Sequence, residues 1–503
     1  MSLRNNYYVS SFFWSTFQKV LNAVIGFISV PLLLGYFGKL DYGILGIATA
    51  CNSYMHLLDL GMDTGAVKFY SQWLQQGDKG RIYRVARTNM TFYGIIALVN
   101  MAGLVALALW GESLFSVTHD QFLLLRTCLV IIATFSLFSW GATTFNQLLI
   151  ADMQMAFTMQ VQSVLAVLKG LLIGLVFLFH LTLVQYFFLL TAIMAMLVVP
   201  YAFKCKRLGM IDTLRPAFYW SDFKVVILFS LSIFALSLFQ MTATQSRPII
   251  LSIFADDGAG VVAEFRIIEV IPLLIIMISG TFSGIFLPKT SSYVAKNDKV
   301  ALKAFAYKWT GYTSIIVNML VIPFILCAKE ILSAYVGKEY DYLSIWLILW
   351  CLTVLIQMHT TPGNALVLAY GRTKLLVITT AIACIASIII NACLVKSYGV
   401  GSSIISYLLY VLIVIGLYYV VYYKRLLELS RRKLFFIFLK PTLLSFFIML
   451  IVNWFPLNIE TLHLTSDRLS YMIVCLIKIT AWLVPYVISL FALKLLTLKD
   501  LRQ

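Results

Sequence analysis

Charge is scarce in this 503-residue chain: Asp, Glu, Lys and Arg make up 12% of it, while hydrophobic residues reach 61%. So little charge cannot cover the surface of a water-soluble protein of this length, and the lipid bilayer must be the solvent for most of it. Histidine is scarcer still, with 5 copies. His119, His180 and His463 are isolated near the ends of apolar runs, which leaves little from which to assemble a general acid and base. The eight cysteines are scattered without a CxxC pair, a pattern that supports neither a metal site nor a disulfide framework. Proline is rare, at 11 residues, so any proline that recurs at a fixed spacing carries information.

What the chain has instead is apolar runs of about 20 residues, each long enough to cross roughly 30 Å of hydrocarbon as a helix. Fourteen are expected, at 9–35, 42–63, 89–110, 122–148, 157–179, 182–203, 224–247, 262–287, 309–328, 342–368, 374–395, 401–423, 436–455 and 470–495. They are long and continuous, unlike the short alternating segments of a transmembrane barrel, so the fold class is an all-α polytopic membrane protein. The first run is too long for a cleaved leader and lacks a small-residue cleavage pattern, and is expected to remain in the mature chain. The net charge of +17 is distributed unevenly. With the N-terminus inside, and with Lys224, Lys374, Lys440 and Lys494 at the cytoplasmic ends of their spans counted as cytoplasmic, cytoplasmic segments hold 27 of the 38 Lys and Arg, outer segments 5 and the spans 6. That is the positive-inside pattern, with both termini cytoplasmic and basic loops facing anionic headgroups, and it accounts for the charge without a nucleic-acid partner.

The chain also repeats. A shift of 217 lays Phe12, Ser15, Phe17, Leu21, Ser29, Pro31, Leu34, Phe37 and Gly43 onto Phe229, Ser232, Phe234, Leu238, Ser246, Pro248, Leu251, Phe254 and Gly260. A shift of 218 lays Asn146, Leu148 and Ala151 onto Asn364, Leu366 and Ala369. The rare prolines and the glycines carry most of this signal. The expected architecture is two pseudo-symmetric six-helix lobes, 1–208 and 209–423, joined through KCKRLGMIDTLRP, with an accessory helix pair at 424–503 behind KRLLELSRRK. Two related halves imply a transporter with its site between them. The stretch PLLLGYFGKLDYGILG at 31–46 reads as the loop between the first two helices.

Polar residues recur at helical spacing within four spans. The first presents Ser11, Ser15, Gln18, Lys19, Asn22, Gly26 and Ser29; the second Thr49, Asn52, His56, Asp59 and Asp63; the seventh Ser230, Ser237, Gln240, Thr244 and Arg247. The eighth presents Arg266, Glu269, Gly280 and Ser283, which map onto the second under the same shift. Such faces line a hydrated cavity or serve as hydrogen-bond glue between helices. Lys19 lies some 16 Å from the cytoplasmic edge at about 1.5 Å per residue, too deep to snorkel easily. Lys169 is similarly deep and Lys478 somewhat less so, whereas Arg126, Arg247 and Arg266 lie near outer ends. The candidate cavity residues are therefore Lys19, Asn22, Asn52, His56, Lys169, Gln240, Arg247, Arg266 and Lys478. Asp59, Asp63 and Glu269 are candidates for ion coupling or gating; for the two aspartates the competing reading is helix-end pairing with Lys68 or another inner basic residue.

In PLLLGYFGKLDYGILG, LLDLGM at 57–62, KFYSQWLQQGD at 68–78 and LAYGRTK at 368–374, the chain resembles the polysaccharide-type flippases of the multidrug/oligosaccharidyl-lipid/polysaccharide exporter superfamily, most closely those for O-antigen repeat units. The resemblance implies a polyprenyl-diphosphate-linked oligosaccharide as substrate, alternating access in a two-lobed bundle, a cationic central cavity, residence in the bacterial inner membrane, and other polysaccharide-assembly proteins as partners. It implies no cofactor. A glycan dragged through hydrocarbon costs several kcal/mol per unpaired hydroxyl and a diphosphate far more, so the headgroup needs a wet, partly cationic path. An inside-negative potential favours outward movement of an anion by about 2.3 kcal/mol per charge per 100 mV; a proton or sodium gradient is the further candidate drive. The alternatives are a cation-coupled multidrug exporter of the same superfamily, against which the deep lysines argue, and a membrane-embedded polymerase or ligase. The second is disfavoured because no outer segment exceeds about 15 residues, the length of a simple connection. No repeated filter loop suggests a channel, and the chain reads as a transporter, not an enzyme.

Overall fold

The structure, a computed structural model, describes residues 2–371, 374–454 and 467–496. Among the described residues it is helical, with no strand. The chain runs through α1 (Ser2–Phe37), α2 (Lys39–Met55), α3 (Met62–Gln76), α4 (Lys79–Trp110), α5 (His119–Ala151), α6 (Met155–Phe179), α7 (Leu183–Ala195) and α8 (Val198–Arg207). It continues with α9 (Trp220–Phe254), α10 (Gly258–Ala295), α11 (Lys299–Leu326), α12 (Ala328–Tyr335), α13 (Ser344–Met358) and α14 (Thr361–Ala369). The last helices are α15 (Lys374–Tyr398), α16 (Gly401–Leu417), α17 (Arg431–Trp454) and α18 (Asp467–Ala492). Eleven helical stretches among the described residues are long and apolar enough to cross a membrane, so the chain is a multi-pass membrane protein. The expected spans at 42–63, 224–247 and 262–287 fall on α2, α9 and α10. Of these α9 and α10 have 35 and 38 residues, more than enough for ~30 Å of hydrocarbon.

Two sequence expectations change. Residues 31–46 are not a loop: α1 runs through Pro31 to Phe37, and a single residue, Gly38 at φ 84°, separates it from α2. A proline in a helix forfeits one hydrogen bond and strains a turn, and in membrane helices the neighbouring groups absorb this. The second span, read as continuous over 42–63, is broken. α2 stops at Met55, and a 3-10 turn over His56–Asp59 is followed by left-handed Leu60 and Gly61 (φ 53° and 73°) before α3 begins. Gly61 is required twice over, because a Cβ there would also lie 2.8 Å from the Ser230 carbonyl oxygen of α9.

The internal repeat is visible in the helix ends. α1 ends at Phe37 and α9 at Phe254, each with an internal proline, Pro31 or Pro248, at the matching place. α5 ends at Ala151 and α14 at Ala369, the pair related by the shift of 218.

The chain divides into two compact units, 1–266 and 267–503. The core of the first is rich in aromatic rings: Tyr70, Trp73, Tyr93, Trp140, Phe145, Tyr201 and Phe223 are buried together with Val85, Leu148 and Val226. Burying each such ring contributes about 1.5–3 kcal/mol against an aqueous reference, and the stacked pair Tyr93–Trp140 joins α4 to α5. In the second unit α11 packs on α17 through Ser314, Asn318 and Thr442, with the Ser314 hydroxyl donating to the Phe438 carbonyl at 2.7 Å. α18 is fixed to α17 by the Trp482 indole, which donates to the Ser445 carbonyl at 3.0 Å.

Candidate functional site

Three of the sequence-predicted polar residues of the second span come together. Thr49 and Asn52 on α2 and His56 on the 3-10 turn line a cavity of about 280 Å³ inside the first unit. Its other walls come from α4 (Asn100), α5 (Ile132, Ser136, Ser139, Trp140) and α7 (Phe187, Leu190, Thr191, Met194). The polar lining is thus amide, hydroxyl and imidazole groups with one indole, and no carboxylate. Asn100 is 3% exposed and its Oδ1 has no hydrogen-bond partner among the described residues. A buried amide oxygen left unsatisfied costs about 1–3 kcal/mol, and this one is shielded from solvent although Asn100 lines the cavity. The lining was only half legible: α4 and α5 carry Asn89, Tyr93, Asn100, Ser136 and Gln147 at helical spacings, the same kind of stripe that marked α1 and α2.

A second polar cluster adjoins the first through stacked rings. The His56 ring lies 5.2 Å from Trp140, and Trp140 stacks at 5.8 Å on Tyr93. The Tyr93 hydroxyl donates to Asp59 Oδ1. Gln147 Nε2 donates to Tyr93 Oη at 2.7 Å and to Asp63 Oδ1 at 2.9 Å, while Asn89 Nδ2 donates to Gln147 Oε1 at 2.7 Å. Asp59 Oδ2 also accepts from the Asp63 main-chain N–H at 3.3 Å, which places both carboxylates at the electropositive first turn of α3, where anions are favoured. Among the described residues neither aspartate has a cationic partner. The anticipated pairing with Lys68 does not form: its Nζ lies 3.5 Å from the centroid of the Phe229 ring.

The basic candidates separate into different environments. Lys19 is exposed on α1 and Lys169 is half-buried on α6, and neither has an ion-pair partner among the described residues. Their neighbours are partly glue: Gln18 donates to Gln162 across α1 and α6 at 3.2 Å, and Asn22 donates to the Gln18 carbonyl. On α9, Gln240 is exposed, and Arg247 is buried with Nε donating to the Ala243 carbonyl at 3.1 Å. Arg266 on α10 donates from Nη2 to the Gly46 carbonyl at 3.2 Å and to Thr49 Oγ1 at 3.4 Å. Glu269 is half-buried on α10. Lys478 on α18 forms an ion pair with Glu330 of α12, both side chains being largely buried at 12% and 15% exposure. This pairing accounts for its depth without a ligand. The side chains of Ser237, Gly280 and Ser283, and residues Arg372 and Thr373 of the GRTK segment, lie outside the described residues.

No family model and no curated protein matches the sequence. Solved structures do match. The lipid II flippase MurJ in an inward closed conformation superposes with a TM-score of 0.67 at 14% identity, over 96% of this chain and 98% of that one. An inward-facing multidrug resistance MATE family transporter of the MOP superfamily gives 0.63 at 14% identity over 79% and 92%. The Vibrio cholerae MATE transporter VcmN in its bent form gives 0.51 at 13% identity over 87% and 99%. These likenesses, together with eleven helical stretches among the described residues that are long and apolar enough to cross a membrane and a repeat visible in the helix ends, show that the chain shares the fold of MurJ and of these MATE structures.

Proposed function

We propose that the chain is a flippase that moves a polyprenyl-diphosphate-linked oligosaccharide from the cytoplasmic to the outer leaflet of a bacterial inner membrane, in the assembly of an O-antigen or similar surface polysaccharide. The observation that carries this reading is the chemistry of the cavity in the first unit. Amides (Asn52, Asn100), hydroxyls (Thr49, Ser136, Ser139, Thr191) and an indole (Trp140) exchange hydrogen bonds with sugar hydroxyls and pack on the apolar face of a sugar ring, without a charge that a neutral glycan would leave unpaired. Lys19 and Lys169 supply the positive charge for the diphosphate, joined by Arg247 and Arg266. The orientation follows the basic loops, with both termini cytoplasmic, so that the turn at Gly38 faces outward.

The cation-coupled multidrug exporter is the second reading, and one observation favours it: Asp59 and Asp63 hold two carboxylates beside neutral donors only. In the flippase reading the same pair, with Glu269, takes a proton or sodium ion and couples its gradient to transport.

The test is reconstitution of the purified chain in proteoliposomes carrying a fluorescent lipid-linked oligosaccharide, with leaflet exposure followed by a membrane-impermeant reagent. Protein-dependent exposure, competed by unlabelled lipid-linked sugar and not by cationic drugs, is the expected result. Gradient-driven export of cationic drugs with no movement of the lipid would replace this reading by the second.

A further inference from the structure

In the second unit, three contacts set which side of α18 turns toward α12 and the segment that follows it. The Lys338 ammonium lies 5.6 Å over the Tyr471 ring, Cys327 meets Cys475, and Glu330 pairs with Lys478. Tyr471, Cys475 and Lys478 stand at i, i+4 and i+7, so they share one side of the helix. Cys327 is the corner residue between α11 and α12. Its thiol donates to the Cys475 carbonyl at 3.9 Å and is also in hydrogen-bonding contact with the Cys475 thiol. Both residues are buried, at 0% and 9% exposure, and both are thiols in the structure. Two thiols that touch from facing elements have converging Cβ vectors, which is the geometric condition for bridging them. Nothing in the sequence spacing marks the pair, because the two residues lie 148 positions apart.

We infer that Cys327 and Cys475 form a modification site, oxidised to a disulfide that staples α18 to the corner of α11 and α12. The inference rests on the orientation in the flippase reading: with both termini cytoplasmic, α11 ends and α18 begins on the outer side, where thiols are oxidised. The pair lies near that boundary. Lys329, two residues beyond Cys327, has a side chain 70% exposed, and Cys475 is about 12 Å along α18 from Asp467 at about 1.5 Å per residue. The oxidant is a thiol-oxidising protein disulfide of that compartment, acting before α18 packs and buries the sulfurs. One thiolate of the pair attacks that disulfide and expels one of its sulfurs as a thiol; the second thiolate then attacks the mixed disulfide and expels the other. Two thiols of this chain become one S–S bond and the oxidant's S–S bond becomes two thiols, so two electrons and two protons pass to the oxidant. A cross-link between residues so far apart in the chain removes more freedom from the unfolded state than a short one. It also holds in register the Glu330–Lys478 pair, one turn away on both elements.

The test is differential alkylation of the natural chain, with cells quenched in trichloroacetic acid, free thiols blocked by N-ethylmaleimide, and disulfides then reduced and labelled with its deuterated form. The expected result is the deuterated label on Cys327 and Cys475 and the light one on the other cysteines. In the purified chain a phosphine reductant should lower the thermal midpoint by several degrees, whereas Cys327→Ala/Cys475→Ala starts low and does not respond. Light label on both cysteines overturns the inference, and a disulfide whose reduction leaves the midpoint unmoved overturns its role as a staple. Orientation is read separately, from a membrane-impermeant maleimide on Asp256→Cys. If the pair carries the light label while Asp256→Cys is labelled from outside, the disulfide falls and the flippase reading keeps its orientation. If the pair carries the light label and Asp256→Cys is reached only from the cytoplasmic side, both fall.

Discussion

The two units put the same residue types to different uses: the second closes them on one another, and the first, beside closed pairs such as Gln18–Gln162 and Asn89–Gln147, leaves a set of them facing a cavity. In the second, amide and hydroxyl groups close on one another between helices: Asn318 on Thr442 at 3.0 Å, Ser402 on Asn391 at 2.8 Å, Tyr407 on Gln357 at 2.7 Å and Tyr418 on Asn364 at 2.9 Å. Its deep lysine, Lys478, is paired with Glu330. In the first, Asn52, Asn100, Ser136 and Thr191 face a cavity of about 280 Å³, and the deep lysine, Lys169, has no ion pair among the described residues. A polar stripe in a membrane helix is therefore not a site by composition. It becomes one where the facing helix withholds its partners, leaving donors and acceptors for a ligand.

This contrast breaks most sharply at the ion pair. Lys478→Ala leaves Glu330 buried and uncompensated, which is expected to cost about 3–5 kcal/mol and to appear as a steep fall in thermal midpoint and folded yield. The double variant Lys478→Ala/Glu330→Ala should recover most of both. A single variant as stable as the natural chain would return Lys478 to the list of cavity residues. Lys169→Ala is the counterpart in the first unit. With no ion pair to lose, it should leave the midpoint within a few degrees while lowering leaflet exposure of lipid-linked sugar by at least about tenfold, the factor that corresponds to 1.4 kcal/mol. Lys19→Ala is expected to behave likewise, with Lys19→Arg retaining part of the activity.

The next comparison is between amides. Asn318→Ala strips a satisfied contact from α11 and α17 and should cost about 1–3 kcal/mol of stability with transport per folded molecule unchanged. Asn100→Ala should do the reverse, reducing transport several-fold at an unchanged midpoint: among the described residues the Oδ1 of both amides is unpartnered, but only Asn318 has Nδ2 bonds, to Ser314 and Thr442, to lose. Asp59→Asn keeps an oxygen acceptor for Tyr93 while removing the charge. It should abolish the part of transport driven by an imposed proton or sodium gradient and keep slow, gradient-independent exchange. Loss of both rates together with folded yield would make the aspartate a structural cap of α3.

The smallest effect is expected at the exposed cluster of Lys299, Lys303 and Glu428, paired at 3.0 and 3.3 Å. Hydrogen bonds from Lys299 and then Lys303 hold the Glu428 carboxyl below the usual glutamate range. The contribution is thus present above the unfolded value and fades as pH falls through the lowered one, well below neutrality. Glu428 is exposed, and Glu428→Gln should leave the midpoint at pH 7 unchanged within error.

The sequence by itself determined the class, the helices and the repeat. Scarcity of charge demands lipid as solvent, a run of about 20 apolar residues leaves its backbone no option but to hydrogen-bond within itself, and a proline recurring 217 residues on reports a duplicated helix pair. It also marked Thr49, Asn52, His56, Asp59 and Asp63 as one polar face, because helical spacing is a local property. What that face meets is not local. Only the tertiary structure decided that Thr49, Asn52 and His56 open onto a cavity, that Tyr93 of α4 holds Asp59 and Gln147 of α5 holds Asp63, and that Lys478 closes on Glu330. It alone placed Arg266 against its own repeat mate. Each of these depends on which helix lies opposite, and pairings across 34 to 217 residues are fixed by the packing of whole helices, in which glycines such as Gly43 and Gly46 set how closely two backbones approach.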